Sequence, residues 1–215
     1  MKKKLFYTFI FVGIIMQFYV LTHNIVLHEM TLRKGEVCRF QTAPVDPFDA
    51  FRGQYVALDF NAFGEEGRRG YFLSDTDISG KWAYLQIGTD TNGFAVVENT
   101  SQKRDLPSPY LKVRISYCYE DSEYRENSEG KKEWVKTGKY RVYCHLPFTR
   151  YYMPEHLAPE AEKAYLEANR SGKRNAAAVV RVWKGKAVIE DLEIEGMPVR
   201  EFLKKREAEK EKEKP

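Results

Sequence analysis

A chain of 215 residues, 43% hydrophobic and 31% charged, is long enough for one well-cored domain plus an anchor and short for two domains. The net charge of +4 sits mostly at the ends: Lys2, Lys3 and Lys4 carry three, the 204–214 segment a net two, and the centre is left near about −1, which argues against a nucleic-acid binder with its concentrated basic face. Cys38, Cys118 and Cys144 have no metal-type spacing, and an odd number admits at most one internal disulfide.

Residues 1–4 form a short basic start, which the positive-inside rule places in the cytoplasm. The run 5–21 has only Thr8 and Gln17 as clearly polar members and reaches roughly 25 Å at ~1.5 Å per residue. Extension through Leu27 takes it past a ~30 Å hydrocarbon core. Residues 5–27 are therefore read as a single-pass transmembrane anchor. A cleaved signal peptide is the competing reading, but the run is long for one and no A-x-A-like site comes after it. Both readings export the remainder of the chain. The expected location is the cytoplasmic (inner) membrane, with an extracytoplasmic domain at 28–200, periplasmic in a Gram-negative cell, and a charged tail at 201–215.

From Gly35 onward short alternating segments are punctuated by Gly, Pro, Asn and Asp, predicting strands at 36–42, 54–61, 82–87, 94–98, 110–120, 138–146, 177–183 and 187–194. In the clearest, Leu111, Val113, Ile115, Tyr117 and Tyr119 alternate with Lys112, Arg114, Ser116 and Cys118, predicting one buried and one wet face. By the same parity Cys118 belongs to the polar set, whereas Cys144 alternates with apolar Tyr140, Val142 and Leu146. That weakens a Cys118–Cys144 disulfide. The partner strand is expected at 138–146, across a charged loop at 121–136, and another hairpin is expected to turn at Lys184-Gly185. One helix is predicted: Pro159 suits its first turn, Leu157, Ala161, Ala164, Tyr165 and Ala168 form its packing stripe, and Ser171-Gly172 ends it. The tail, with ten charged residues among 204–214, reads as a frayed helix or a solvated segment. The fold class is mainly β with one packed helix, an antiparallel β-sandwich or partly open barrel, preceded by the transmembrane helix.

One stretch carries distinctive local chemistry. Asp46 can cap a short helical turn, with Pro47 at its first position, Asp49 completing a capping box and Gly53 ending it. The chain then enters a strand in which Val56, Leu58 and Phe60 share a face. The segment Gly53-Gln54-Tyr55-Val56-Ala57-Leu58-Asp59-Phe60 resembles the motif that names the GDYxxLxY family of membrane-associated bacterial proteins. The glycine, first tyrosine and leucine match, while Gln54 stands for the aspartate and Phe60 for the final tyrosine. Arg150-Tyr151-Tyr152-Met153-Pro154-Glu155 and the 184–192 segment with Glu195-Gly196-Met197-Pro198 are similar to later parts of the family. The resemblance spans about 35–199. It implies a small exported or anchored protein with no established activity, acting beside a polytopic membrane protein, and it marks Asp46, Gly53, Tyr55, Leu58, Tyr151, Tyr152 and Pro154 as motif or interaction residues. A role depending on the missing aspartate does not carry over.

Reaction signatures are not found. His23, His28, His145 and His156 fall in no zinc pattern, and no nucleophile-elbow or phosphate-loop motif occurs. Asp46 and Asp49 are explained by capping. Ser74, Ser79 and Ser116 carry no mark of a nucleophile beside a positioned lysine. The expectation is a non-enzymatic accessory or interaction domain without cofactor or metal, whose partners are the membrane and a polytopic membrane protein, with no nucleic acid. The alternatives are a barrel binding a small apolar ligand (lipid or glycan) and a membrane-anchored hydrolase. Tyr55, Trp82, Tyr84, Tyr151, Tyr152 and Trp183 are candidates for an aromatic contact patch, set against simple core packing for each.

Overall fold

The computed structural model describes residues 2–43, 55–60, 62, 71–126, 132–170 and 175–212. Helix α1 (Lys2–Lys34) is one continuous rod, roughly 50 Å long at ~1.5 Å per residue. It continues beyond Leu27, and from Phe6 to Lys34 it is long and apolar enough to cross a membrane. Side chains such as Phe6, Phe11 and Met16 stand exposed along it. Its last turns instead pack on the domain: Thr31 is buried, and its hydroxyl donates to Leu27 O at 2.8 Å. Gly35 turns helix directly into strand. Its amide donates to Thr31 O at 2.9 Å, and a Cβ at this position would meet that same oxygen at 2.4 Å. The close backbone approach is what requires glycine.

Beyond α1 the chain builds two five-stranded antiparallel sheets and one short ribbon. In the first sheet β1 (Glu36–Ala43) lies between β3 (Asp59–Phe60) and β10 (Ala176–Trp183), and β11 (Lys186–Ile194) and β12 (Met197–Pro198) extend it beyond β10. The hairpin from β10 to β11 turns at Lys184-Gly185 as expected, both residues at positive φ (48° and 83°), which suits the twist of the flanking strands. The second sheet has the order β4 (Tyr71–Ser74), β8 (Lys132–Cys144), β7 (Tyr110–Glu126), β5 (Trp82–Thr89) and β6 (Ala95–Ser101). The ribbon pairs β2 (Tyr55–Ala57) with β9 (Arg150–Tyr152). Seven of the eight predicted strands are present as single strands, whereas the one expected at 54–61 is split at Leu58 into β2, paired with β9, and β3, paired with β1. The β4, β9 and β12 segments are short and lack alternation, so the sequence pattern does not announce them.

The core between the sheets is filled by side chains. Phe40, Phe60 and Phe148 meet with ring centroids 5.0 to 5.9 Å apart, and Leu85, Leu111, Ile115, Val180 and Leu192 are fully buried around them. Helix α2 (Ala158–Asn169) buries Ala158, Ala161, Ala164, Tyr165 and Ala168, with Pro159 in its first turn as predicted.

Two readings need correction here. A β-bulge between Ile115 and Tyr117 reverses the facing of β7: Leu111, Val113 and Ile115 are buried, but Tyr117 and Tyr119 point to solvent. The same reversal turns Cys118 inward opposite Val142, so the parity argument against a disulfide does not hold, although all three cysteines are thiols. Secondly, the 121–136 segment is not a loop, because β7 and β8 continue as a ribbon to Glu126 and from Lys132. Of the two readings of the tail, the helical one holds: α3 spans Val199–Lys212. Val199 and Leu203 are buried one turn apart, and Arg206 pairs with Glu167 of α2 at 2.8 Å. The charged run is visible in the sequence, but the two apolar residues that seat it lie just upstream.

Candidate functional site

The three family-like segments, far apart in sequence, meet in space. Strand β2 pairs antiparallel with β9, placing Tyr55 opposite Tyr152, Val56 opposite Tyr151 and Ala57 opposite Arg150. Leu58 N donates to Thr149 O at 2.9 Å, extending the first pairing by one bond. Val56, Leu58 and Phe60 are buried on one face, as the alternation predicted. Tyr151 then reaches the third segment: its hydroxyl donates to Asp191 Oδ1 at 2.9 Å, and the same oxygen accepts the Leu192 amide at 2.8 Å.

Burial is the main cause that pushes the Tyr151 hydroxyl up to about 12. Its bond to Asp191 adds to this, and the nearby Arg200 guanidinium opposes it. At neutral pH Tyr151 therefore keeps its proton and acts as a donor, not as a base. Beside this pairing lies an open cleft of about 510 Å³, lined by His28 of α1, Thr149, Arg150 and Tyr152 around β9, Glu190 of β11 and Arg200 of α3. Glu190 is engaged by Arg181 through two guanidinium bonds at 2.6 and 3.1 Å. The end of the apolar helix and two of the three motif segments thus contribute to one concave surface.

The predicted residues take different places. Tyr151 and Leu58 are buried joints, Tyr152 is exposed, and Pro154 O accepts the amides of Leu157 and Ala158 to open α2. The backbone of Tyr55 pairs in β2 with that of Tyr152. Asp46 and Gly53, with the capped turn they were expected to form, lie outside the described residues. Of the aromatic candidates, Trp82 and Tyr152 are exposed, Tyr84 and Trp183 half-buried, and Tyr151 belongs to the core. Sequence reasoning missed Asp191, although it lies inside the third family-like segment, and it had no signal for Arg200 or His28. Asn169, at the end of α2, is buried and its side-chain amide donates to Thr42 Oγ1 at 3.1 Å. No group of three His, Cys, Asp or Glu suited to a metal occurs among the described residues.

Fold and site together define a mostly β domain on an N-terminal apolar helix, closed by a joint between three sequence segments. The family model for the GDYXXLXY protein matches residues 17–192, and the chain belongs to that family. No curated protein and no solved structure matches it.

Proposed function

We propose that the chain is an extracytoplasmic accessory domain, held on the cytoplasmic membrane by α1 and acting without catalysis beside a polytopic membrane protein. The observation that carries this reading is the construction of α1. Its Phe6 to Val26 stretch exposes apolar side chains throughout, while its last turns are seated in the domain and pass into β1 through Gly35 with no linker. An exposed apolar stripe of this length calls for lipid or protein around it. A helix rooted in the domain would hold the motif cleft in a fixed pose at the membrane surface. Lys2, Lys3 and Lys4 before the apolar run favour that end in the cytoplasm.

Two measurements test the reading. Alkaline phosphatase fused after Pro215 is expected to be active, because export activates it; an inactive fusion on an abundant protein would overturn the orientation. Crosslinking in mild detergent is expected to recover one membrane protein stoichiometrically with the full chain. Recovery should fall when residues 6–26 are replaced by an unrelated apolar helix. If neither version recovers a membrane protein, the accessory reading is wrong.

A further inference from the structure

We infer that the outer face of the β5–β7–β8 sheet is a binding surface for a linear polysaccharide carrying carboxylates. The bulge in β7 creates this surface. Before it, Lys112 and Arg114 point outward; after it, Tyr117 and Tyr119 do so, with Ser116 at the bulge also exposed and Cys118 turned inward. Trp82 of β5 lies directly opposite Arg114, and Tyr143 of β8 directly opposite Tyr117. One face therefore carries Trp82, Lys112, Arg114, Tyr117, Tyr119 and Tyr143 along a stripe of roughly 20 Å, from ~3.4 Å per residue.

These rings are both exposed and held in place. Trp82 is 52% exposed, Tyr117 53% and Tyr119 45%, values unlike those of core aromatics. Tyr143 stacks on Tyr117 at 4.7 Å and 15° and on Tyr119 at 5.6 Å and 25°, with the hydroxyls of Tyr119 and Tyr143 3.0 Å apart. A platform already ordered loses little freedom on binding. The Lys112 ammonium sits 4.6 Å from the Trp82 ring centre. Around these two a groove of about 530 Å³ is lined also by Arg114, Ser116 and His145, and by no carboxylate among the described residues. Among the described residues the three helices pack on β2, β10, β11 and β12, and none of them covers this face.

Charge and shape select the occupant. The Trp82 ring and the exposed parts of the stacked tyrosines, with their hydroxyls, suit the apolar patches and hydroxyls of successive sugar rings. Lys112 and Arg114, in a groove lined by no carboxylate among the described residues, suit acid groups, with the planar Arg114 fork matched to a carboxylate. The stripe is longer than any one sugar ring, which points to a polymer. The surface differs from a barrel interior in being open and cationic. Aromatics interleaved with cations also suit single-stranded nucleic acid; preferring a polysaccharide rests on the proposed extracytoplasmic placement.

The test uses the full chain in nanodiscs of neutral phosphatidylcholine, titrated calorimetrically with polygalacturonate, dextran and poly-dT. Polygalacturonate is expected to bind and dextran not to. Trp82→Ala and Arg114→Gln, both exposed and harmless to the core, should each weaken binding about tenfold. Trp134→Ala, on the distal ribbon, should leave it unchanged. Absence of polygalacturonate binding, or binding indifferent to both substitutions, overturns the proposal, as does tighter binding of poly-dT. The phosphatase fusion separates the two readings: no polymer bound with the tail exported sinks the polysaccharide surface alone, whereas poly-dT preference with an inactive fusion sinks the placement as well.

Discussion

The two five-stranded sheets have opposite surface chemistry. In β10 the run Ala176, Ala177 and Ala178 is buried at consecutive positions, so both sides of the strand are covered where it begins. Helix α2, which packs on β10 and β11, presents Ala161, Ala164 and Ala168 to the core. Small residues on strand and helix allow close approach. The β5–β7–β8 sheet instead buries mainly its inner face and carries large rings and cations outside. A covered face selects small side chains that let the next layer approach; a face left open can carry large ones. The first sheet is built to hold α1 and the motif joint, and the second to present a surface.

The sharpest way to break this comparison is to truncate one ring on each side. Phe40→Ala, in the fully buried three-phenylalanine cluster, should cost about 3–4 kcal/mol of stability. Tyr119→Ala on the open face should cost less than about 1 kcal/mol, the scale of a cross-strand pair. Denaturant unfolding of the full chain in detergent measures both. Equal losses would mean that the outer rings are structural, and the contrast between the sheets would fail.

The bulge region comes next. Arg141 Nη2 meets Asp121 Oδ1 at 2.6 Å, with the two side chains 31% and 12% exposed, and the Thr137 hydroxyl donates to Asp121 O at 3.1 Å. Asp121→Asn leaves a mostly buried guanidinium short of its counter-charge and should cost about 2 kcal/mol, less than a fully buried pair because water still reaches it. Lys136 and Glu120, an exposed pair nearby, should give under about 0.5 kcal/mol when Lys136 is replaced by Ala. If the exposed pair mattered as much, the distal ribbon would be part of the folded core and not a projection from it.

Gly185 tests the seam between the two sheets. Where β8 ends opposite Ile115, the turn at Gly185 takes over the free edge of β7, its carbonyl accepting the Lys112 amide at 2.9 Å. At φ +83° an added Cβ would lie 3.1 Å from Lys112 Cβ and 3.2 Å from the Tyr110 ring. Gly185→Ala should therefore cost about 1–2 kcal/mol and loosen the sheets relative to one another. Amide exchange at Lys112 should rise more than that at Val180 within the first sheet.

What could be read from the sequence was local, and what could not was relational. Alternation locates β7 and its inner residues Leu111, Val113 and Ile115, because pleat parity is a property of neighbours. The bulge at Ser116 has no glycine or proline to announce it, so alternation alone puts Tyr117 and Tyr119 on the wrong face. Lys184-Gly185 announces its own turn. The meeting of Tyr151 with Asp191 joins residues 40 apart through the packing of three strands, and no short-range pattern encodes it. Similarly, α3 reads as a charged tail until Val199 and Leu203 are seen to seat it. The family-like segments are recognisable one by one; their convergence is not.

That convergence supplies the smallest and most specific test. Tyr151→Phe removes one hydrogen bond to Asp191 while keeping the ring, and should cost about 1 kcal/mol at neutral pH. The pH dependence distinguishes this bond from mere packing. In the folded chain burial, reinforced by Asp191, raises the Tyr151 hydroxyl from 10.0 to about 12, so the folded state holds the proton more tightly than the unfolded state. Its contribution is fully present below pH 10 and is lost as the pH rises from 10 to 12. The stability gap between wild type and Tyr151→Phe should close over that window and then reverse, since the ionised ring would face Asp191 without its proton. The buried thiols of Cys38 and Cys144, raised from 9.0 to about 11 and about 12, weaken both proteins from pH 9 upward and cancel in the difference. A gap that stays constant from pH 8 to 12 would mean that Tyr151 acts by shape alone, and that the three segments are held together by the β2–β9 pairing without the tyrosine–aspartate bond.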